Sequence, residues 1–206
     1  MDTNQLCMAL ENDLVAANSF QGVYPRDRLP HTICRPCSII ANTDVAQNAG
    51  QHWVAMYIDQ LGFGEYFCSY GMAPMHQEFV RFLNRNSKMW AYNICQLQDF
   101  NSAVCGQYAA WFVSQRARNT STNEICQLFS LSNFKFNDRT IVKLFSQRFK
   151  VSLSSSSWNS SSNNNNNKAN QQRKSGGKFN LDEGICQHCI AYSKNLKPSN
   201  GVKGFK

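Results

Sequence analysis

The composition of the chain changes at Lys150, and this change limits the part that can fold around a core. Residues 152–172 are rich in Ser and Asn and include five consecutive Asn residues, from Asn163 to Asn167. A segment this polar cannot bury enough apolar surface to offset the entropy lost on ordering. The sequence therefore predicts a folded domain over residues 1–150, a disordered linker over 151–178 and a short basic segment over 179–206.

The charges divide at nearly the same place. Residues 1–134 hold 8 Lys and Arg against 10 Asp and Glu, a net charge of −2, whereas residues 135–206 hold 13 against 3, a net charge of +10. Such a basic segment associates with DNA and other polyanions. We therefore expect DNA as a partner of the C-terminal third, with a merely solubilising tail as the alternative.

The apolar pattern argues against a membrane protein. The chain has no run of 18 apolar residues, so no membrane span is expected. Its first five residues lack the basic and apolar regions of a signal peptide. We therefore expect an intracellular protein whose nine cysteines are free thiols.

Hydrophobic periodicity predicts helices and strands in an irregular order. Helices are expected over residues 3–17, 75–86, 105–116, 122–129 and about 138–149, and strands over 38–44, 52–58, 65–70 and 89–97. Residues 20–30 contain Gly22, Pro25 and Pro30 and are expected to form a loop. Strands mixed with helices, without a regular βαβ alternation, indicate an α+β fold.

A turn of small residues precedes Cys105, and an apolar helical run follows it. This pattern places Cys105 in the first turn of a helix, where unpaired backbone N–H groups favour a thiolate. Gly106 leaves room for another chain to approach the sulfur. Gln98 lies seven residues upstream and can fold back toward the sulfur with its side-chain N–H. A nucleophile, an amide donor and a helix N terminus are the parts that acyl transfer requires.

His52 enters a strand-like run, and a second strand with a Gly-rich end follows before Gln98 and Cys105. The motifs, in order, are His52-Trp53-Val54-Ala55, Tyr66-Phe67-x-Ser69-Tyr70-Gly71, Gln98 and Asn101-Ser102-x-x-Cys105-Gly106. This order resembles the adenovirus protease (adenain) family, and most closely the adenain-like cysteine proteases of Polinton/Maverick-type transposons and related DNA viruses. The resemblance spans about residues 24–149.

The resemblance implies a papain-like fold, with a central helix packed on a mixed sheet, and a role for each motif residue. Cys105 would be the nucleophile, His52 the general base and acid, and Gln98 the oxyanion donor together with the backbone N–H of Cys105. Trp53 and Gly106 would border the bound substrate. It also implies a polypeptide substrate, no required cofactor, and DNA or a viral peptide as a possible activator.

The family has Asp or Glu where this chain has Cys68. A neutral thiol is a weak hydrogen-bond acceptor and carries no charge to stabilise an imidazolium. Strand periodicity points both Asp59 and Glu65 away from His52, so neither is expected to replace the missing acid. We therefore expect a Cys–His dyad of reduced rate, or a chain drifting toward inactivity.

Two Cys-x-x-Cys pairs raise the question of zinc. They are Cys34-Arg35-Pro36-Cys37 and Cys186-Gln187-His188-Cys189. Two such pairs can form a four-thiolate site, and Cys186, His188 and Cys189 could bind metal locally. Because a long polar run separates the pairs, we favour free thiols and expect no metal site.

The leading functional hypothesis is a monomeric cysteine endopeptidase that matures viral or virus-like precursor proteins in the host nucleus or the virion. A protease for ubiquitin-like modifiers such as SUMO is an alternative, because SUMO proteases share the order His, acid, Gln, Cys. A third reading is a pseudo-protease kept as a nucleic-acid-binding or structural module, and Cys68 is the reason to consider it.

Overall fold

The computed structural model describes residues 1–149 and the backbone of residues 190–193. The predicted linker and nearly all of the predicted segment 179–206 lie outside the described residues. The strands are β1 (Phe20–Pro25), β2 (Cys37–Asn42), β3 (Trp53–Ile58), β4 (Phe63–Phe67), β5 (Met89–Asn93) and β6 (Ile190–Ser193). The helices are α1 (Thr3–Glu11), α2 (Gln77–Asn86), α3 (Cys105–Arg116), α4 (Thr122–Gln127) and α5 (Phe134–Phe149).

The six described strands form one mixed sheet, in the order β1-β2-β3-β4-β5-β6. The pairs β1–β2 and β4–β5 are parallel, and the other three pairs are antiparallel. A short hairpin joins β3 to β4, whereas the parallel step from β4 to β5 crosses over through α2, as parallel pairing requires. His52 therefore lies just before the β3–β4 hairpin, and Cys68 lies just after it.

Helix α3 is the centre of the molecule. Its residues Gly106 to Ser114 are all buried, and Phe112 stacks on Phe67 of β4 with ring centroids 4.5 Å apart. One apolar cluster joins α3 to α1, α5 and one face of the sheet. A second cluster packs α2 against β3 and β4. The sheet thus lies between two helical layers, which confirms the predicted α+β fold with a central helix on a mixed sheet.

The predicted loop over residues 20–30 was wrong, because Phe20–Pro25 forms β1. β1 is an edge strand, where a proline costs no sheet hydrogen bond. Gly22 has φ +127 and lies in the stretch where the β1–β2 register shifts. The turn residues that suggested a loop are therefore those that an irregular edge strand tolerates.

Several predicted boundaries also moved. Helix α1 ends at Glu11, because the carboxylate of Asp13 accepts hydrogen bonds from the backbone N–H groups of Val15 and Ala16 and starts a separate 3₁₀ turn. Helix α5 begins at Phe134, four residues before the expected start. Strand β5 ends at Asn93 rather than residue 97.

In the described part of the chain, no helix is long and apolar enough to span a membrane.

Candidate active site

Cys105 is the first residue of α3, as the sequence predicts, and its side chain is half-buried. Burial raises the pKa of the Cys105 thiol, and the backbone N–H groups of Trp53 and Gly106, which lower it, do not offset that effect. The net direction is opposite to the one expected from the helix terminus alone. Cys105 is therefore a neutral thiol at pH 7 in the resting protein.

His52 lies immediately before β3, with its ring against the turn that follows β4. Its Nε2 atom is 3.4 Å from the Sγ atom of Cys68, and its ring stacks on Tyr70. Burial lowers the pKa of His52 to about 4. The imidazole is thus neutral at pH 7, so the resting pair of His52 and Cys105 is not an ion pair.

The side chains of Cys105 and His52 make no direct hydrogen bond to each other in residues 1–149; the His52 ring bonds to the Cys68 sulfur instead. The backbone N–H of Trp53, the residue after His52, is near enough to the Cys105 thiol to lower its pKa, although burial raises the pKa overall. Cys105 also lies close enough to Cys68 for its charge to affect that thiol. Catalytic hydrogen bonds are commonly long in a free enzyme and shorten when substrate binds. Cys105 thus lies near Trp53, the residue that follows His52, and pairing of its sulfur with the His52 imidazole stays a prediction.

Gln98 is fully buried, and its side chain bonds both to the turn after β4 and to its own loop. Its Oε1 atom accepts from the Ser69 hydroxyl at 2.6 Å. Its Nε2 atom donates to the carbonyl and hydroxyl oxygens of Ser102, at 3.0 and 3.1 Å. In this conformation the carboxamide faces Ser102, and it makes no hydrogen bond to Cys105 in the described residues. Its role as an oxyanion donor stays a prediction that requires the side chain to release Ser102.

Asn93 holds the backbone of Cys68 on both sides, and sequence reasoning did not identify it. The Asn93 carboxamide accepts from the Cys68 N–H at 2.9 Å and donates to the Cys68 carbonyl at 2.8 Å. Gly71 completes this turn with φ +67, and a Cβ atom there would lie 2.6 Å from the carbonyl carbon of Cys95. The position of Cys68 beside His52 is therefore fixed by the end of β5 as well as by β4.

The two acids that could replace the missing carboxylate are engaged elsewhere. The carboxylate of Glu65 pairs with Arg116 at 2.6 Å and accepts from the Thr122 hydroxyl at 2.6 Å. The carboxylate of Asp59 accepts from the backbone N–H of Phe63 in the β3–β4 hairpin, at 2.7 Å. This confirms the expectation that neither acid supports His52.

A cavity of about 510 Å3 opens at the start of α3, with Cys105 and Trp53 in its wall. Met1 also borders it, and the indole N–H of Trp53 donates to the Met1 carbonyl at 3.1 Å. A Cβ atom on Gly106 would lie 3.1 Å from the Met1 sulfur and 3.3 Å from the Trp53 ring. The close approach expected at Gly106 is thus made by this chain's own residues, and substrate contact by Trp53 and Gly106 stays a prediction.

The first Cys-x-x-Cys pair has no further metal ligands around it. Cys34 is exposed, whereas Cys37 is buried, and burial raises the pKa of the Cys37 thiol to about 12. In the described part of the chain, no three His, Cys, Asp or Glu side chains form a group that could hold a metal ion. Cys186, His188 and Cys189 lie outside that part.

Comparison with solved structures gives partial similarity. No protein-family model matches the chain, and no curated protein matches it. Among solved structures, the selenomethionine form of the ASFV pS273R protease aligns with a TM-score of 0.43 and 24% identity, over 58% of this chain. The alignment covers 47% of that protease, so this chain matches less than half of its length. Because this similarity is low, the arguments for function depend on the geometry of Cys105 and its neighbours.

Proposed function

We propose that the protein is a cysteine endopeptidase with Cys105 as its nucleophile. One observation carries the proposal: Cys105 is the first residue of the buried helix α3 and lines a cavity together with Trp53, the residue that follows His52. A nucleophile next to a candidate base, at the edge of a space large enough for a peptide, is the arrangement that acyl transfer requires.

The proposed reaction starts from neutral partners. His52 accepts the thiol proton as the Cys105 sulfur attacks the carbonyl carbon of the peptide bond. The imidazolium then gives that proton to the leaving amine, and a thioester remains on Cys105. Water, deprotonated by His52, attacks the thioester, and collapse of this adduct releases the carboxylic acid and restores the thiol.

The oxyanion of each tetrahedral intermediate would accept hydrogen bonds from the Cys105 backbone N–H and from Gln98. For Gln98 this step requires its Nε2 atom to turn from Ser102 toward the cleft. The resemblance described above supports this role, and it supports viral or virus-like precursor proteins as substrates in virion maturation. We extend the proposal to a monomeric enzyme of the host nucleus or virion, with DNA or a peptide as activator.

The experiment is a cleavage profile of the full chain on a peptide library, with Cys105→Ser as the blank. Cys34→Ser is the matched control, because Cys34 is the exposed thiol of the described residues outside this cleft. We expect cleavage by the wild-type protein and by Cys34→Ser, and none by Cys105→Ser. Equal cleavage by wild type and Cys105→Ser would contradict the proposal. Parallel incubation with SUMO and ubiquitin conjugates tests the alternative modifier protease.

A second candidate function is a pseudo-protease that binds polyanions or partners without turnover. The thiol of Cys68 at the acid position and the engagement of Gln98 with Ser102 favour it. An electrophilic peptide that labels Cys105 of the wild-type protein would support the enzyme. Absence of both labelling and cleavage, with DNA binding retained, would support the pseudo-protease.

A further inference from the structure

The cavity at the start of α3 has a buried carboxamide in its wall that uses only its oxygen. Asn42, the last residue of β2, is 7% exposed and lines this cavity. Its Oδ1 atom accepts from the backbone N–H groups of Asp44 and Gln51, at 2.9 and 3.1 Å. Its Nδ2 atom donates no hydrogen bond to another residue within 1–149. Because a buried donor without a partner costs free energy, this amide is suited to an acceptor that enters the cavity.

The backbone around the Asn42 amide keeps the approach to it open. Gly50 has φ +90, and a Cβ atom there would lie 2.7 Å from the Asn42 Nδ2 atom. A side chain at position 50 would therefore cover this donor. Asn42 also pairs with Trp53 across β2 and β3, and Trp53 lines the cavity together with Cys105. The free donor thus belongs to the same cavity as the candidate nucleophile.

Two charged side chains line this cavity, Arg28 and Asp2. The Asp2 carboxylate is engaged, because it caps α1 by accepting from the Gln5 N–H at 2.9 Å. Arg28 is exposed, and its guanidinium makes no ion pair with a carboxylate of the described residues. It lies three residues after Pro25, which pairs with Asn42 across β1 and β2. The end of the sheet therefore brings an unpaired cation to the side of the cavity that holds the free amide.

We propose that Arg28 and Asn42 form a substrate subsite that selects an acidic side chain, Asp or Glu, near the scissile bond. This inference rests on the proposed function and names the substrate preference of the same site. A carboxylate has two oxygens, so it can accept from a guanidinium and from an amide at once. A Gln side chain has one acceptor oxygen and no charge, so the subsite distinguishes Glu from Gln. An extended peptide advances about 3.3–3.6 Å per residue, so the acidic residue should lie within about three residues of the cut.

The test compares peptides that differ only by Glu or Gln at each position near the cut in the best library sequence. For the wild-type protein we expect kcat/KM to be roughly 10-fold higher for Glu than for Gln at one position, mainly through KM. Arg28→Glu should abolish this preference. Arg81→Glu, the same change at an exposed residue outside the cavity, should keep it. Asn42→Asp, which keeps the accepting oxygen and removes the donor, should raise KM for the Glu peptide.

Equal rates for Glu and Gln at every position in the wild-type protein would overturn the inference. A preference that Arg28→Glu leaves unchanged would overturn it as well. In both cases, cleavage that still requires Cys105 would leave the proposed function intact. Cleavage that does not require Cys105 would overturn the proposed function.

A binding experiment tests the subsite without turnover. The full-length Cys105→Ser protein is immobilised and incubated with a random peptide library, and the retained peptides are sequenced. We expect enrichment of Asp and Glu that falls by about 3-fold or more when Arg28→Glu is added, but not when Arg81→Glu is added. The second variant accounts for acidic peptides that the basic C-terminal third retains. Equal enrichment in the two variants would overturn the inference whether or not the protein cleaves peptides.

Discussion

At the scale of single residues, the thiol of Cys68 lies beside His52, at the position where the family resemblance implies a carboxylate. Burial raises the pKa of the Cys68 thiol, the nearby backbone N–H groups of Met72, Tyr70 and Gly71 partly oppose that rise, and the sulfur lies 3.4 Å from His52 Nε2. Backbone N–H groups are good partners for an ionised carboxylate. We therefore expect the turn after β4 to accept an acid at position 68.

Replacing Cys68 by Asp is expected to accelerate cleavage. The new carboxylate would raise the pKa of His52 and stabilise the imidazolium, so kcat/KM should rise on the order of 10-fold or more. Kinetics on the best peptide from the library would measure the change. Cys68→Asn, which has the shape of Asp without its charge, is the matched control and should leave the rate nearly unchanged. A Cys68→Asp enzyme no faster than the Asn control would show that this position is not a vacant acid site.

Asn93 is expected to be a large single contributor to stability near the site. Truncation by Asn93→Ala leaves the buried N–H and C=O of Cys68 without partners, which should lower the free energy of unfolding by roughly 2–4 kcal/mol. Urea denaturation would measure this loss. Asn101→Ala removes an exposed amide and should change stability by less than about 0.5 kcal/mol. Similar midpoints for the two variants would contradict the role given to Asn93.

The residue scale also shows what the sequence could not predict. Cys105 at a helix start followed from the small-residue turn before it, because such turns deliver a side chain to the first helical position. The stack of Tyr70 on His52 could not be predicted, since it depends on how Gly71 turns the chain back toward β5. The burial of Gln98 was missed for the same reason: its partners, Ser69 and Ser102, are set by tertiary contacts.

At the scale of elements, a buried ion pair fixes the C-terminal end of α3. The carboxylate of Asp13 pairs with Arg118 at 2.6 Å and accepts from the Ser114 hydroxyl at 2.8 Å. Burial alone would raise the pKa of Asp13, but the hydrogen bonds from Arg118 and Ser114 outweigh it and hold the pKa at about 2. The segment after α1 is thereby attached to the helix that carries Cys105.

Asp13→Asn should destabilise the protein in a way that depends on pH. It leaves Arg118 without its charge partner, so we expect a loss of roughly 3 kcal/mol at pH 7. Because the folded pKa of Asp13 lies below its ordinary value of 3.8, this stabilisation is present above about pH 4 and is lost as the pH falls toward 2. The difference between the urea midpoints of wild type and Asp13→Asn should therefore narrow below about pH 4 and nearly vanish at about pH 2. If the difference between the two urea midpoints does not narrow on acidification, the ion pair is not the source of this stability.

The elements themselves were largely predictable. Apolar alternation predicted the strand β3, and a long apolar run predicted the helix α3. Both elements are buried, so their sequences show the apolar pattern of a buried strand and a buried helix. β1 was missed because edge strands tolerate the Gly and Pro residues that otherwise indicate loops. The end of α1 was misplaced because Leu14, which completes the apolar stripe, is 86% exposed.

At the scale of the whole molecule, charge is divided between a nearly neutral domain and a basic C-terminal third. Residues 135–206 carry a net charge of +10. Binding of DNA to this part stays a prediction, and its affinity is expected to fall with salt concentration in a characteristic way. Each phosphate that a basic side chain neutralises contributes about 0.9 to the slope of log affinity against log salt concentration.

The basic run Arg173-Lys174-Ser175-Gly176-Gly177-Lys178 offers a direct test. Changing Arg173, Lys174 and Lys178 to Gln in the full chain should weaken binding to duplex DNA and reduce the salt slope by up to about 3. Fluorescence anisotropy across a salt series would measure both. Gln substitutions at Lys88, Arg81 and Arg85, in the neutral domain, are the control and should leave the slope unchanged. An unaltered slope in the tail variant would support the solubilising alternative.

The most direct test of the central claim is intact-mass and peptide mapping of the full chain after reaction with a peptide that ends in a Michael acceptor. Cys105 is expected to take up one equivalent, and labelling should be lost in Cys105→Ser and strongly slowed in His52→Ala. Cys34→Ser should label as fast as wild type. Labelling that follows exposure alone, with the adduct on Cys34 and no effect of His52→Ala, would contradict a catalytic Cys105.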